Sequence, residues 1–355
     1  MVQYVARRLL YAIPVLIGIL LVTFILARLI PGDPCKSILG EKATPAVCEV
    51  FAENKGLNEP MPVQLALYAQ DVIQGDLGDS IRFSRPVAQI LVERLPMTIE
   101  LSTAALFLAL LVGIPLGIIS AMKHNTSVDV GTMVFANVGV SMPVFWLGLM
   151  LIYLFAALLG WLPPSGRLSA GFVSVPFYEV WNWSVTEDTF RFTLLEFISN
   201  HFIFNSIITG DWEIARDAIR HLVLPAIALS TIPTAIIARM TRSSLLDVMG
   251  RDYIRTARAK GAPERSVVIR HGLRNAMLPV VTIIGLQLGA LLSGAVLTET
   301  VFSLAGVGTM LFEAITARDF PIIQGFVVVI ATGYVLVNLL VDISYAYLDP
   351  RIRLE

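Results

Sequence analysis

The chain has 355 residues, of which 56% are hydrophobic and only 15% charged, and its mean hydropathy is +0.74. Soluble domains carry about 25% charged residues, so this composition excludes the two soluble domains that length alone would suggest. A net charge of −1 gives no footprint for nucleic acid, and four His with two Cys are too few and too scattered for a metal framework.

A helix crosses a bilayer with about 20 apolar residues, and six uncharged windows meet that need. The first holds 19 residues between Arg8 and Arg28. It exceeds the apolar core of a secretory signal, about 7–15 residues, and no A-x-A site follows it, so a retained first helix within 1–30 is expected. Residues 31–98 form an extracytoplasmic segment. It has loop signals at Pro31-Gly32-Asp33-Pro34 and from Gly75 to Asp79, and two short helices are expected near 62–74 and 86–95. Both cysteines, Cys35 and Cys48, fall in this segment. An oxidising compartment permits a disulfide between them, and two free thiols are the alternative.

The membrane core then occupies 99–355. Its spans are expected at about 99–122, 131–160, 219–240, 276–298 and 321–345, with Pro163-Pro164 closing the third helix of the chain near Gly160. The weakest, 219–240, contains Pro225 and Pro233, which a helix bundle tolerates. The insert 161–218 is rich in aromatics, among them Phe177, Tyr178, Trp181, Trp183 and Phe192. Such rings suit a membrane interface, a protein contact or a small self-packed subdomain. The loop 241–275 separates the fourth and fifth spans. Lys and Arg set the orientation. With the N-terminus inside, inner segments carry 14 basic residues in 63 positions and outer segments 12 in 153. Both termini and the 241–275 loop are therefore expected in the cytoplasm. The fold class is an all-α integral membrane protein of six transmembrane helices.

Small residues recur at four-residue spacing in the second span (Gly113, Gly117, Ala121) and the fifth (Gly285, Gly289, Ser293). Close helix packing is the default reading of such faces; lining a substrate path is the other. Better path candidates are polar or kinked positions within the spans. These are Asn137, Ser141, Pro143 and Trp146 in the third, Gln287 and Ser293 in the fifth, and Asn338 in the sixth. None of the windows has an ionisable residue near its centre, which disfavours an ion-coupled secondary carrier. Glu299 and Asp319 sit at the outer ends of the fifth and sixth spans. They flank "TVFSLAGVGTMLFEAITAR", too polar and Gly-rich to span. That segment is a candidate outer gate or partner platform; a loop with solvated acids is the bland alternative.

No G-x-x-x-x-G-K-[ST], H-E-x-x-H or G-x-S-x-G sequence occurs, so there is no signal for nucleotide binding or catalysis. The chemistry lies instead in "RTARAKGAPERSVVIRHGLRNAMLP" at 255–279, with six Arg or Lys and one acid, Glu264. Residues Tyr253 to Lys260 are good helix formers, Gly261 suits a helix end, and Pro263 suits the start of another helix. Charge alone would mark the inside of the membrane. It leaves the Gly and Pro unexplained.

"DYIRTARAKG" followed by "LRNAMLPVVT" resembles the cytoplasmic loop of ABC importer permeases, specifically the dipeptide/oligopeptide/nickel branch. Arg255-Thr256-Ala257 stands where the wider family has E-A-A, and Gly261 is correctly spaced. Leu278-Pro279 falls later than the wider pattern places it, as is usual in this branch. "IPGDP", "GDLGDS" (75–80), "RLPMTIELS" (94–102), "SMPVFWLG" (141–148), "ARMTRSSLLDV" (238–248), "LTETVFS" (297–303) and "DPRIR" (349–353) resemble the same branch in order along nearly the whole chain. The resemblance implies a type I ABC importer subunit of the inner membrane. Its implied partners are a second homologous permease, two ABC ATPases that hold ATP and Mg, and an extracytoplasmic binding protein; nucleic acid is not among them. The chain itself would bind no cofactor. The first helix of the loop, with Tyr253, Arg255, Thr256, Ala257, Arg258, Lys260 and Gly261, would dock in an ATPase groove. Di- and oligopeptides are the implied cargo, with nickel chelates and glutathione-like molecules handled by related permeases. From other classes, an ion-coupled carrier or a membrane anchor or sensor would be the rivals.

Overall fold

The computed structural model describes residues 2–29, 43–54, 58–186, 189–293 and 295–348. Among these the regular structure is helical, with a single isolated bridge between Asp79 and Pro86. Cys35 and the stretches "IPGDP" and "DPRIR" lie outside the described residues. Cys48 is disulfide-bonded.

The first helix, α1 (Val2–Leu29), is followed by α2 (Pro45–Asn54) and α3 (Met61–Gln74). The next, α4, runs unbroken from Val87 to Met122, 36 residues. The short helix expected near 86–95 and the span expected at 99–122 are therefore one element. At 1.5 Å per residue it is about 54 Å long, well beyond the roughly 30 Å hydrocarbon core. Pro96 lies inside it and cannot donate to the Val92 carbonyl one turn back. The Asn200 side chain supplies that missing donor, Nδ2 to Val92 O at 3.3 Å.

The third span, expected as one helix over 131–160, is broken. The helix α5 (Ser127–Ser141) ends at Met142, whose backbone is extended (φ −100, ψ 134). Pro143 then caps α6 (Val144–Leu158), whose last seven residues are π-helical, and the two axes meet at 97°. Proline disfavours helical geometry in the residue before it and brings no N–H of its own, which accounts for a break here.

The insert carries α7 (Phe177–Val180), α8 (Phe190–Ser199) and α9 (Phe202–Thr209). The fourth span, expected at 219–240, is α10 (Trp212–Met249), 38 residues long. "ARMTRSSLLDV" thus continues the span and is not loop. Beyond it come α11 (Asp252–Ala259) and α12 (Glu264–Leu292), the latter π-helical over Val267–Leu273. The loop expected over 241–275 is largely helical, and the fifth span ends at Leu292 and not at 298. The chain closes with α13 (Val296–Val301), α14 (Val307–Ala317) and α15 (Phe320–Leu348). Among the described residues five helices are long and apolar enough to cross a membrane unbroken, and the bent α5–α6 pair, taken as one span, makes six.

The core is built on α4 against α10, the most extensive helix contact in the chain. One stripe of α4, Leu101, Ala105, Ala109, Gly113, Gly117 and Ala121, is buried at four-residue spacing, the ridge that packs into a neighbouring helix groove. At Gly117 a Cβ would stand 2.6 Å from the Ala238 carbonyl oxygen and 2.6 Å from the Thr241 Cβ. The backbones meet there because no side chain intervenes. The small face on α12 is likewise a packing face, with Gly285 against Val341 and Gly289 against Tyr334 of α15.

The outer helix α1 lies antiparallel to α15. Arg8 Nη1 meets Asp342 Oδ2 at 3.1 Å near one end, and Gln324 Nε2 donates to the Thr23 carbonyl at 3.4 Å near the other. The beginning of α1 and the end of α15 therefore share one side of the bundle.

Gly117→Ala should overpack the α4–α10 contact and cost about 1–3 kcal/mol. Gly131→Ala, where a Cβ meets nothing within 4 Å, should be silent or mildly stabilising. Thermal midpoints of the two variants in detergent, read by size exclusion, check this; equal midpoints would refute the close-approach argument.

Candidate functional site

Three constellations gather most of the sequence candidates. The first is α11 with the turn behind it. Ile254 is fully buried and anchors the helix, while Tyr253, Arg255, Thr256, Arg258 and Lys260 are exposed and Ala257 is half-buried. Ile254 and Ala257 are three apart and so share a face. The helix ends at Lys260, Gly261 has φ +77, and Pro263 caps α12. The local helix–turn–helix reading holds, with Pro263 one step earlier than the first turn. Charge pairing within the turn was not foreseen. Arg258 donates Nε to Glu264 Oε2 at 3.1 Å and Nη2 to Oε1 at 2.7 Å. Arg255 reaches Asp252 at 3.6 Å. Both pairs are exposed, so water screens them and they add little. Lys260 has no acidic partner among the described residues.

The second constellation is a groove beside α5, walled by Val130, Val134 and Val138 as well as by polar side chains. A cavity of ≈ 620 Å³ is lined by Asp129, Met133, Asn137 and Ser141, spaced four apart on α5, with Met142 and, from α10, Arg242. Asp129 is buried. It accepts Arg242 Nε and Nη2, each at 2.8 Å, the Asn125 N–H at 3.0 Å and the Ser120 hydroxyl. A carboxylate taken out of water needs such a set. Arg239, one turn back on α10, donates Nη2 to Asn137 Oδ1 at 3.0 Å. Of the path candidates, Asn137 and Ser141 line this groove. Pro143 makes the break at its end, and Trp146 lies beyond on α6, exposed. Gln287 and Ser293 on α12 and Asn338 on α15 do not line it. Ser293 caps α12 through its bond to the Gly289 carbonyl, and neither Gln287 nor Asn338 makes a side-chain hydrogen bond among the described residues. Sequence reading missed Asp129, Arg239 and Arg242. The available signal was opposite charges at the ends of neighbouring spans.

The third constellation lies at the other end of the bundle. Glu299 and Asp319 are not solvated loop acids: their exposures are 0% and 1%. Glu299 accepts the Thr98 hydroxyl (2.8 Å) and the Thr309 N–H (2.9 Å), tying α4 to α13 and α14. Asp319 accepts the Ser80 hydroxyl (2.6 Å), the Arg82 N–H (3.0 Å) and the Ile322 N–H (3.4 Å). Burial pushes the Glu299 carboxyl above its usual range, against the pull of its hydrogen bonds. Nearby, Arg167 is fixed by Glu100 Oε2 and the Asn200 carbonyl, both at 2.8 Å, and lies 3.7 Å from the Phe202 ring centre. Burial lowers its pKa. Ser169 donates its N–H (2.7 Å) and hydroxyl (2.8 Å) to Asp217. These contacts fasten the insert to α4 and α10. Within it, Phe177 is ringed by Tyr178, Trp181 and Trp183. The insert is thus self-packed in part, although Phe190 is 85% exposed.

The apolar helices define a polytopic α-helical membrane protein. Residues 113–354 match the family described as the binding-protein-dependent transport system inner membrane component. Residues 1–102 match the corresponding N-terminal membrane component. The chain is 47% identical over 353 residues to the dipeptide transport system permease protein DppB of Alkalihalophilus pseudofirmus, covering 99% of this chain and 100% of that one. It is 44% identical over 354 residues to the protein of the same name from Escherichia coli K12, covering 99% of each. To the probable D,D-dipeptide transport system permease protein DdpB of the same strain it is 42% identical over 338 residues, 95% of this chain and 94% of that one. The chain belongs to the binding-protein-dependent transport system inner membrane component family, and it is a multi-pass inner membrane protein.

Glu299→Ala should leave the Thr98 hydroxyl and Thr309 N–H without their acceptor, at a cost of about 2 kcal/mol. The raised carboxyl pKa means that the folded state holds its proton to higher pH than the unfolded chain does. Wild-type stability should therefore fall as pH rises above about 4.3 through the folded value, and the variant should lack that slope. Thermal midpoints between pH 4 and 8 read both effects.

Proposed function

We propose that the chain is one permease half of an ATP-driven importer of di- and oligopeptides. The observation that carries this reading is likeness over nearly the whole chain to permeases named for dipeptide transport. In this reading a second homologous permease supplies the other wall of the groove. An extracytoplasmic binding protein delivers cargo, and two ABC ATPases dock on the side of α11. ATP and Mg bind those partners, consistent with the want of a G-x-x-x-x-G-K-[ST] sequence here, and the chain itself is non-catalytic. The excess of Lys and Arg supports a cytoplasmic position for α11 and both termini.

The geometry supports a mechanical role for α11. It projects past the span, presents Tyr253, Arg255, Thr256 and Lys260, and is joined to α10 and α12 by short turns. Force applied to it passes to two rigid helices, one of which carries Arg242 of the groove wall. Ion coupling is less well supported. The acid in the groove, Asp129, is already bound by Arg242, and a coupling cation would have to displace a guanidinium.

Gly261→Val places a β-branched residue at φ +77, a strain of about 1–2 kcal/mol relieved by turning α11. Because a Cβ there meets nothing within 4 Å, the bundle itself should stay folded. Uptake of labelled dipeptide and ATPase co-purification should both be lost. Neutralising Arg258 and Lys260 together should be milder, since charges this exposed are screened by water and salt. Normal uptake with full ATPase retention in Gly261→Val would overturn the docking role. Uptake by this chain alone in vesicles without ATP would overturn the importer.

A further inference from the structure

The charges around the α5–α10 groove are not equivalent. Asp129 has its acceptor positions filled by Arg242, Ser120 and Asn125. The Arg242 charge is neutralised in the same contact, with both bonds directed at one carboxylate. Arg239 differs. It is exposed, no acid pairs with it among the described residues, and its side-chain bond goes to the neutral Asn137 amide. Three residues before Arg242, it lies on the same side of α10. It is also the first charge after the uncharged run from Leu222 to Ala238. A cation at the end of a membrane span needs polar company. Asn137 of the groove wall supplies that setting, since its amide oxygen holds one edge of the guanidinium.

We propose that Arg239 is a station for the carboxylate terminus of the peptide as it passes along the groove. This rests on the importer reading above. A guanidinium offers five N–H donors in a planar fork. With one nitrogen engaged by Asn137, another edge stays open for a carboxylate, the bidentate partner whose geometry it matches. The groove offers nothing comparable to the ammonium end of a peptide, because its acid, Asp129, is saturated. Recognition is thus one-sided. It reads the feature that every peptide with a free C-terminus shares and leaves side chains unread. The neighbouring Asn137 is a positioning residue that orients the fork.

The test uses the complete transporter in proteoliposomes, with the same loaded binding protein throughout. Import of dialanine is compared with that of dialanine amide, which keeps the ammonium and loses the carboxylate. With Arg239→Gln the dialanine rate should fall about tenfold, the worth of one charge-assisted contact, and the amide rate should not change. Arg239→Lys keeps the charge without the fork and should fall between. Because each cargo is compared with itself across variants, the binding protein's own preference cancels. Equal losses for both cargos, or no loss for either, would overturn the proposal. So would a loss that follows the anionic phospholipid content of the liposomes, which assigns Arg239 to a lipid headgroup. A wild-type complex that imports neither cargo with ATP would overturn the importer reading itself, and the station with it.

Discussion

The close approach of α4 and α10 governs the rest of the architecture. Water provides no drive to press two apolar helices together inside a bilayer, so contact must come from backbone proximity and shape. Gly113 and Gly117 permit it by letting the Thr234 and Ala238 carbonyl oxygens come where side chains would stand. Once these two long helices are zipped, other elements find partners on them. The ends away from α11 hold α13 and the turn after it through Leu224, Phe302 and Leu304 and α14 through Val87, Val307 and Met310, the middle holds α12 through Val280 and Leu291, and the ends nearest α11 hold its π-helical stretch through Leu245 and Val268.

Polar fastenings complete both ends. At the end away from α11, Thr98 from "RLPMTIELS" meets Glu299 from "LTETVFS", and Ser80 from "GDLGDS" meets Asp319. Their side chains explain one another. An acid buried at 0% exposure needs donors, and a hydroxyl and a backbone N–H are cheaper to bury than a cation, because neither carries a charge of its own to desolvate. Asp319 repeats the solution at the residue just before α15. Both acids therefore act first as joints that close a Gly-rich segment over the bundle.

The sequence made the spans legible because uncharged length is a direct physical requirement of a bilayer. Their ends were less so. Helices do not stop where the membrane stops, and Glu93, Arg94, Arg242 and Asp247 sit in helix although they are charged. The break at Pro143 was visible as a proline within an apolar run, but its 97° bend was not, since the same chemistry elsewhere in this chain leaves α10 continuous through Pro225 and Pro233. For α11 the local signals sufficed, because a positive φ and a capping proline are properties of the chain itself. For the groove they did not. Asp129 and Arg242 are 113 positions apart, and only the packing of α5 on α10 shows that two unremarkable charges form one contact. Gln287 and Asn338 show the converse: polarity within a span was visible, but which helix face carries it toward the groove was not.

The Asp129–Arg242 contact also limits how the groove can change shape. Separating a buried carboxylate from its guanidinium costs about 3–5 kcal/mol, somewhat less here because the Arg242 side chain is 27% exposed. The Ser120 and Asn125 bonds would hold Asp129 in place while its cation left, so the loss would not be shared by relaxation. The ends of α5 and α10 nearest α11 must then move together as one body with the α4–α5 turn. Ala136 against Ala235 and Ala238, and Gly139 against Thr231, extend that body further along the two helices. Widening is left to the far end of the groove, where Met142 is extended and Pro143 interrupts the hydrogen-bond ladder. A displacement entering through α11 would therefore leave the polar wall intact and be absorbed where α5 gives way to α6.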